Sequence, residues 1–427
     1  MPRLVRDRLT WVIYVQLSLW CYFLYGFGPV APLLRDELHI SRTLASLHGT
    51  GFAVGGIIGG AVIPALTRRY GRNRLIWAGL TLVSAAAMGM FAAHHLALTL
   101  TFATLASFGG SLLVNGVVAA LTEHHGTAGP AAISEANAAA AAVGLVAPLV
   151  VGLAYGLGLG WRTGLVLVVV PTVLLAVFAG VRAPEPLPHG DPHGAGAGRL
   201  PAAYWLAATS LFATGSVEVC LTLWGSDVLR AHAGVSPGVA TAAVSTMIAG
   251  MVTGRIAGGR LLLRHRPTRV LLAALGVSAA GFALFWAATV PWPAMLGLFV
   301  CGLGVGLHYP LGIGLALAHS GGRPDLAAAR ASFAVGISFA VAPFALGSLA
   351  DAVGPHPAFL LVPAFLLLSA VVVTQLERAG QPVAPRRAVE PSSRCEPAGR
   401  RAGRGHERRR SGARRRPSRH DPVLSDQ

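Results

Sequence analysis

TWVIYVQLSLWCYFLYGFGPVAPLL, residues 10–34, carries no charged side chain. Wound as a helix it is roughly 37 Å long, more than the roughly 30 Å of hydrocarbon in a bilayer. Its apolar residues are continuous rather than alternating, which fits a helix and not a barrel strand, the two structures that satisfy their own backbone in lipid. The basic MPRLVRDRL before it could open a secretory signal, but the apolar run is too long and many others follow, so it reads as a first span that stays.

Working outward, comparable runs fall near 43–66, 75–93, 96–121, 131–158 and 163–181, and a second six near 202–229, 238–262, 270–290, 292–318, 326–349 and 357–376. A mean hydropathy of +0.61, with 54% apolar and 12% charged residues, excludes a water-soluble globular chain. The net charge of +17 suggests a nucleic-acid binder until it is located: fourteen of the thirty-four basic residues follow Glu377. That Arg-, Pro- and Ser-rich tail, 377–427, reads as disordered, with attraction to anionic lipid as a secondary use and no interleaved aromatics for nucleic acid. Cys21, Cys220, Cys301 and Cys395 have no chelating or disulfide spacing, so neither metal nor cofactor is expected. With no lysine in the chain a GxxxxGK[ST] phosphate loop is impossible.

Arginines set the orientation, because cytoplasmic loops keep positive charge during insertion. Arg3, Arg6, Arg8, Arg68, Arg69, Arg72, Arg74, Arg182, Arg199, Arg260, Arg264, Arg266, Arg269 and Arg323 lie on one side, against Arg35, Arg42, Arg162 and Arg230 on the other. Both termini are expected in the cytoplasm, with the chain in the plasma membrane.

Sliding the chain by 195 residues brings Gly55, Gly59, Arg69 and Arg74 onto Gly250, Gly254, Arg264 and Arg269, and VAPLVVG at 146–152 onto VAPFALG at 341–347. The expectation is an all-α membrane protein of twelve spans in two parallel, pseudo-symmetric six-helix bundles, 1–181 and 200–376, joined by a linker at 182–199. Parallel repeats place a site at mid-membrane between the halves. The glycines at 55–60 and 250–259 read as close helix packing.

The loop PALTRRYGRNR at 64–74 is similar to the basic loop between the second and third spans of the major facilitator superfamily, usually Gly-x-Leu-x-Asp-Arg-x-Gly-Arg, with Pro64 at the Gly and Arg68 at the Asp. GLVAPLVVG at 144–152 resembles that family's exporter motif, with Ala147 and Val151 at two glycine places, while GLGVGLHYPLGIGL at 302–315 resembles fucose-permease-type members. The resemblance covers 9–376. It implies alternating access about a central cavity lined by spans 1, 4, 7 and 10, with Arg68, Arg69, Gly71, Arg72, Pro148 and Pro343 as conformational elements.

Among seventeen carboxylates, Glu135 and Glu218 read as the two inside apolar spans, where an acid is costly and so marks a site. Glu218 shares a face of the seventh span with Ser210, Thr214 and Thr222 and leads as a proton or substrate group; a structural acid satisfied by hydroxyls is the competing account. His308, beside Tyr309, suits proton transfer or simple hydrogen bonding. Asn115 with Thr104, Ser107 and Ser111, and Tyr22 and Tyr25 with Ser18, form polar faces on the fourth and first spans, suited to a neutral or cationic organic molecule, unless the hydroxyls bond back to their own helices. The repeat sets Glu135 opposite Arg330, a gate or two unrelated interfacial charges. Arg255 reads as a snorkelling side chain. Proton-coupled export of a small organic molecule is the leading expectation, with uptake of a sugar-like metabolite second and a receptor or scaffold third. The partners are then substrate, protons and the bilayer, with no nucleic acid, and the chain a monomer and not an enzyme.

Overall fold

The computed structural model describes residues 5–179, 199–262 and 264–378; the expected linker at 182–199 and the tail at 377–427 lie almost wholly outside them. Twelve helices are long and apolar enough to cross a membrane: α1 Arg8–Leu38, α2 Arg42–Tyr70, α3 Arg72–Ala92, α4 Leu96–His125, α5 Ala131–Gly156, α6 Trp161–Ala179, α7 Ala202–His232, α8 Pro237–Gly258, α9 Pro267–Ala287, α10 Pro291–Ala318, α11 Leu326–Val353 and α12 Pro355–Arg378. Local chemistry sets their ends. Asp7 and Ser41 cap α1 and α2 by accepting from the amides of Thr10 and Leu44. Proline opens α9, α10 and α12, where its missing N–H costs nothing. Between α2 and α3 the chain turns at Gly71 with φ +79°, a conformation that a side chain resists.

The offset of 195 holds at the level of individual contacts. A Cβ on Gly55 of α2 would overlap the carbonyl of Thr104 on α4; one on Gly250 of α8 would overlap that of Phe299 on α10, exactly 195 residues on in both partners. The same shift carries Gly79 against Gly109 into Ala274 against Gly304, joining α3–α4 and α9–α10. Bare backbones in these helices therefore meet where any side chain would hold them apart.

Between the halves, α2 packs on α11 and α5 on α8. Here the repeat crosses itself. Thr50 of α2 donates its hydroxyl to the Ala340 carbonyl of α11 at 3.0 Å, and Ser245 of α8 donates to the Leu145 carbonyl of α5 at 2.8 Å. Donors and acceptors are each 195 apart, and both carbonyls lie three residues before a proline, Pro343 and Pro148, inside its helix. Among the described residues, every ion pair between the halves falls toward one end of the bundle. We call that end distal, and the end carrying Val5 and Arg378 proximal.

Asp227 and Asp351 correct the expectation that Glu135 and Glu218 are the acids within spans. Asp227 lies in α7 and is 3% exposed, and Asp351 lies in α11. Asp227 falls within the seventh apolar run, where that expectation overlooks it, α11 runs past its own apolar stretch to Asp351, and arginine from the opposite half compensates each acid.

Candidate functional site

The distal end is a lattice of charges. Arg35 and Arg42 of the first half reach Asp227 at 3.2 and 2.8 Å, and Arg42 lies 3.9 Å from Asp351. Arg230, the repeat partner of Arg35, reaches back to Asp36 at 2.6 Å. Asp351 also accepts from the Arg42 and Thr43 amides, which start α2. Arg162 is held within its own half by Glu37 at 2.9 Å and by the Met90 carbonyl. The four arginines read from sequence as merely the sparse side of a topological bias are thus all ion-paired. Trp224 to Ser46, at 3.1 Å, and Ser226 to the Pro29 carbonyl, at 3.3 Å, extend the seal between the halves.

Nothing comparable ties the halves at the proximal end among the described residues; the ion pairs there stay within a half. Arg6 grips Glu135 at 2.7 Å, with Tyr14 at 3.3 Å from the same carboxylate, and Arg72 pairs with Glu123. Glu135 therefore faces the N-terminal segment, while Arg330 lies against Trp205 with its guanidinium 5.6 Å from the ring centre. The structure does not bring Glu135 and Arg330 together. Arg69 covers Tyr70, Arg68 is exposed, and Pro148 and Pro343 are buried in α5 and α11.

In the middle, Glu218 of α7 faces a cavity with Leu211, Thr214, Gly215, Tyr309, Val335 and Phe339. Tyr309 is half exposed there. Tyr25 of α1 and Arg255 of α8 complete the charged neighbourhood, the Tyr25 hydroxyl lying beside the guanidinium and both within electrostatic range of Glu218. Arg255 donates from Nε to the Gly306 carbonyl at 3.2 Å and meets the Tyr25 hydroxyl of the opposite half, so it is held at the centre of the bundle rather than serving as a snorkelling anchor. Glu218 has no hydrogen bond or ion pair among the described residues. The polar stripe does not serve it: Thr214 and Thr222 donate to their own helix, to the carbonyls of Ser210 and Glu218.

Other expected cavity residues have partners of their own. Tyr22 is buried and donates to the Gly164 carbonyl of α6 at 2.6 Å. His308 does line the Glu218 cavity, but it is buried and its Nε2 lies 3.2 Å from Ser278 Oγ on α9, inside its own half. Asn115 donates to the Ser111 carbonyl and lies in a cleft with Ile63, Thr67 and Arg72, away from Glu218. Ser107 and Ser111 reach α2, at the carbonyls of Phe52 and Gly56, and Thr104 bonds back to Leu100. Glycine on α2 leaves its carbonyls open to these hydroxyls, which explains a stripe that looks like a binding face. Asp227 and Arg255 were the residues whose importance the sequence concealed; Asp227, three positions before Arg230, shows it only once the far half of the chain is in place.

The fold has known counterparts. A bacterial homologue of the human lysosomal transporter Spinster, solved in an inward-facing and occupied conformation, superimposes with a TM-score of 0.74 at 16% identity over 88% of this chain and 97% of that one. A D-xylose-proton symporter gives 0.70 at 14% over 86% and 96%, and the nucleoside transporter NupG 0.67 at 11% over 87% and 98%. No curated protein matches by sequence. The family model of the Major Facilitator Superfamily matches residues 15–224 and 203–418. With twelve spans, a distal seal and an acid in a central hollow, this multi-pass membrane protein belongs to the major facilitator superfamily of transporters.

Proposed function

We propose that the chain exports a small organic molecule in exchange for protons, by alternating access, from the plasma membrane. The observation that carries this reading is Glu218, an acid in the hollow whose carboxylate accepts no hydrogen bond among the described residues. A half-buried carboxylate without a fixed partner gives up no hydrogen bond when its charge is met by a proton or by a cation, so the two can replace each other on it. The arginine bias supports a cytoplasmic proximal end, so that the hollow faces inward in this state. Export is favoured by the α5 sequence GLVAPLVVG; uptake is the second reading, favoured by the α10 sequence GLGVGLHYPLGIGL.

In this scheme the halves rock about the α2–α11 and α5–α8 contacts, with Pro148 and Pro343 as flexible points. Arg68, Arg69, Gly71 and Arg72 shape the proximal side, and Glu135 exchanges Arg6 for Arg330 when that side closes. The unit is a monomer of two six-helix halves, 1–181 and 200–376.

The test uses vesicles containing the full chain and a trapped pH dye, with an imposed pH gradient and a panel of compound classes outside. The compound that moves protons in wild type should move none with Glu218→Gln, at unchanged protein content. Undiminished proton movement in that variant removes Glu218 from the mechanism.

A further inference from the structure

Opposite charges in this bundle find each other wherever they can. Arg6, Arg35, Arg42, Arg72, Arg162, Arg230 and Arg269 all hold a carboxylate within 4.0 Å. Glu218 and Arg255 are the exception in the hollow. They lie in electrostatic range without an ion pair, Glu218 accepting no hydrogen bond among the described residues and Arg255 engaging only the Gly306 carbonyl and the Tyr25 hydroxyl there. Tyr25 stands beside Arg255, and Tyr309 lies near Glu218. The other titratable groups nearby are Cys21, which flanks Arg255 on α1, and His308, which is turned to Ser278.

Such a separation selects among ligands by charge. A monocation would gain Glu218 and be repelled by Arg255; a monoanion meets the reverse. A neutral molecule would take water from both groups and return no charge to either, a poor exchange in a low-dielectric site. A molecule carrying both an ammonium and an anionic oxygen group meets both, and planar guanidinium suits carboxylate or phosphodiester oxygens through paired donors.

We infer that the hollow binds a small zwitterion, its ammonium at Glu218 and its anionic oxygens at Arg255 and Tyr25, with any apolar remainder against Leu211, Val335 and Phe339. This rests on the proton-exchange reading and deepens it: a proton on Glu218 removes the ammonium's partner, so proton and ligand compete for one carboxylate. Arg255 then sets specificity, while Glu218 couples.

The purified full chain in detergent is heated with each of the α-amino acids, trimethylglycine and glycerophosphoethanolamine. Every amino acid with an uncharged side chain is paired with its methyl ester, a cation, and its N-acetyl derivative, an anion. At least one zwitterion should raise the melting temperature, and its two blocked forms should bind at least tenfold more weakly. Arg255→Gln should weaken that zwitterion tenfold or more, with Arg255→Lys recovering part of the loss; unchanged melting of the ligand-free variants confirms that they fold. A blocked cation or anion that stabilises as well as its parent overturns the inference, as does a panel in which no zwitterion acts. The dye assay separates the two claims: proton movement that needs Glu218 but is driven by a simple anion or cation removes the zwitterion alone. Tight zwitterion binding with proton movement indifferent to Glu218 removes the exchange reading alone.

Discussion

Asp7 does three things at once at the start of α1. It caps the helix through the Thr10 amide at 2.9 Å, accepts from the Thr10 hydroxyl at 2.6 Å, and meets His124 at 2.8 Å. Partial burial acts to raise its carboxyl, but the Thr10 bonds and His124 outweigh burial and hold it below the ordinary 3.8. A depressed acid stabilises the fold fully above its ordinary value and loses that effect as pH falls through the lowered one. Asp7→Ala should therefore cost about 1 kcal/mol at neutral pH, the usual worth of a cap. Thermal unfolding followed downward in pH should show wild type and variant converging once the pH falls through the lowered carboxyl of Asp7. A gap that is constant across that range would assign the loss to something other than the carboxylate. Asp227 is the opposite kind of residue, an acid almost sealed from water between two arginines of the other half, and its consequences belong to the whole molecule.

Among the elements, packing is decided by glycine. Gly250→Ala would drive a methyl group into the Phe299 carbonyl and force α8 from α10, whereas Gly276→Ala on α9 meets nothing within 4 Å. The first should lower stability by about 1–3 kcal/mol, typical of overpacking, and the second should be neutral or slightly stabilising through better helix propensity. Melting of the two variants side by side checks the contrast, and equal effects would remove backbone contact as the cause. All twelve spans were legible in the sequence to within a few residues, because hydropathy depends on composition alone. The faces were not. Ser107 and Ser111 recur at helical spacing like a binding surface, yet the spacing says nothing of which neighbour they meet, and the Phe52 and Gly56 carbonyls on α2 take them. Glu218 was found because an acid in an apolar run is conspicuous by itself. Arg255 was misjudged because a long cationic stem near a helix end has an easy local explanation, and Tyr25 and Glu218 enter its surroundings only through folding.

At the scale of the molecule, one end is closed by charges from both halves and the other, among the described residues, is not. Asp227→Asn removes the acceptor shared by Arg35 and Arg42 and leaves two guanidinium groups facing each other. Breaking a largely buried pair costs about 3–5 kcal/mol, enough to shift a conformational balance rather than merely trim it. In a background otherwise free of cysteine, Ser226→Cys, buried in the seal, should react with maleimide at least tenfold faster when Asp227→Asn is present. An unchanged rate, with the protein still folded, would mean that the apolar contacts around Trp224 hold that end shut without the charges.

The charged seal is not wholly dry. Arg42 and Asp351 keep 22% and 28% of their side-chain surface in contact with the medium, and Arg230 and Asp36 keep 22% and 38%. Their attraction is therefore open to dissolved ions, whose screening length shrinks from about 30 Å in dilute solution to about 8 Å at physiological strength. A bilayer bathed on that side by dilute buffer and one bathed by brine would hold this end shut to different degrees, with no change in a single atom of the protein.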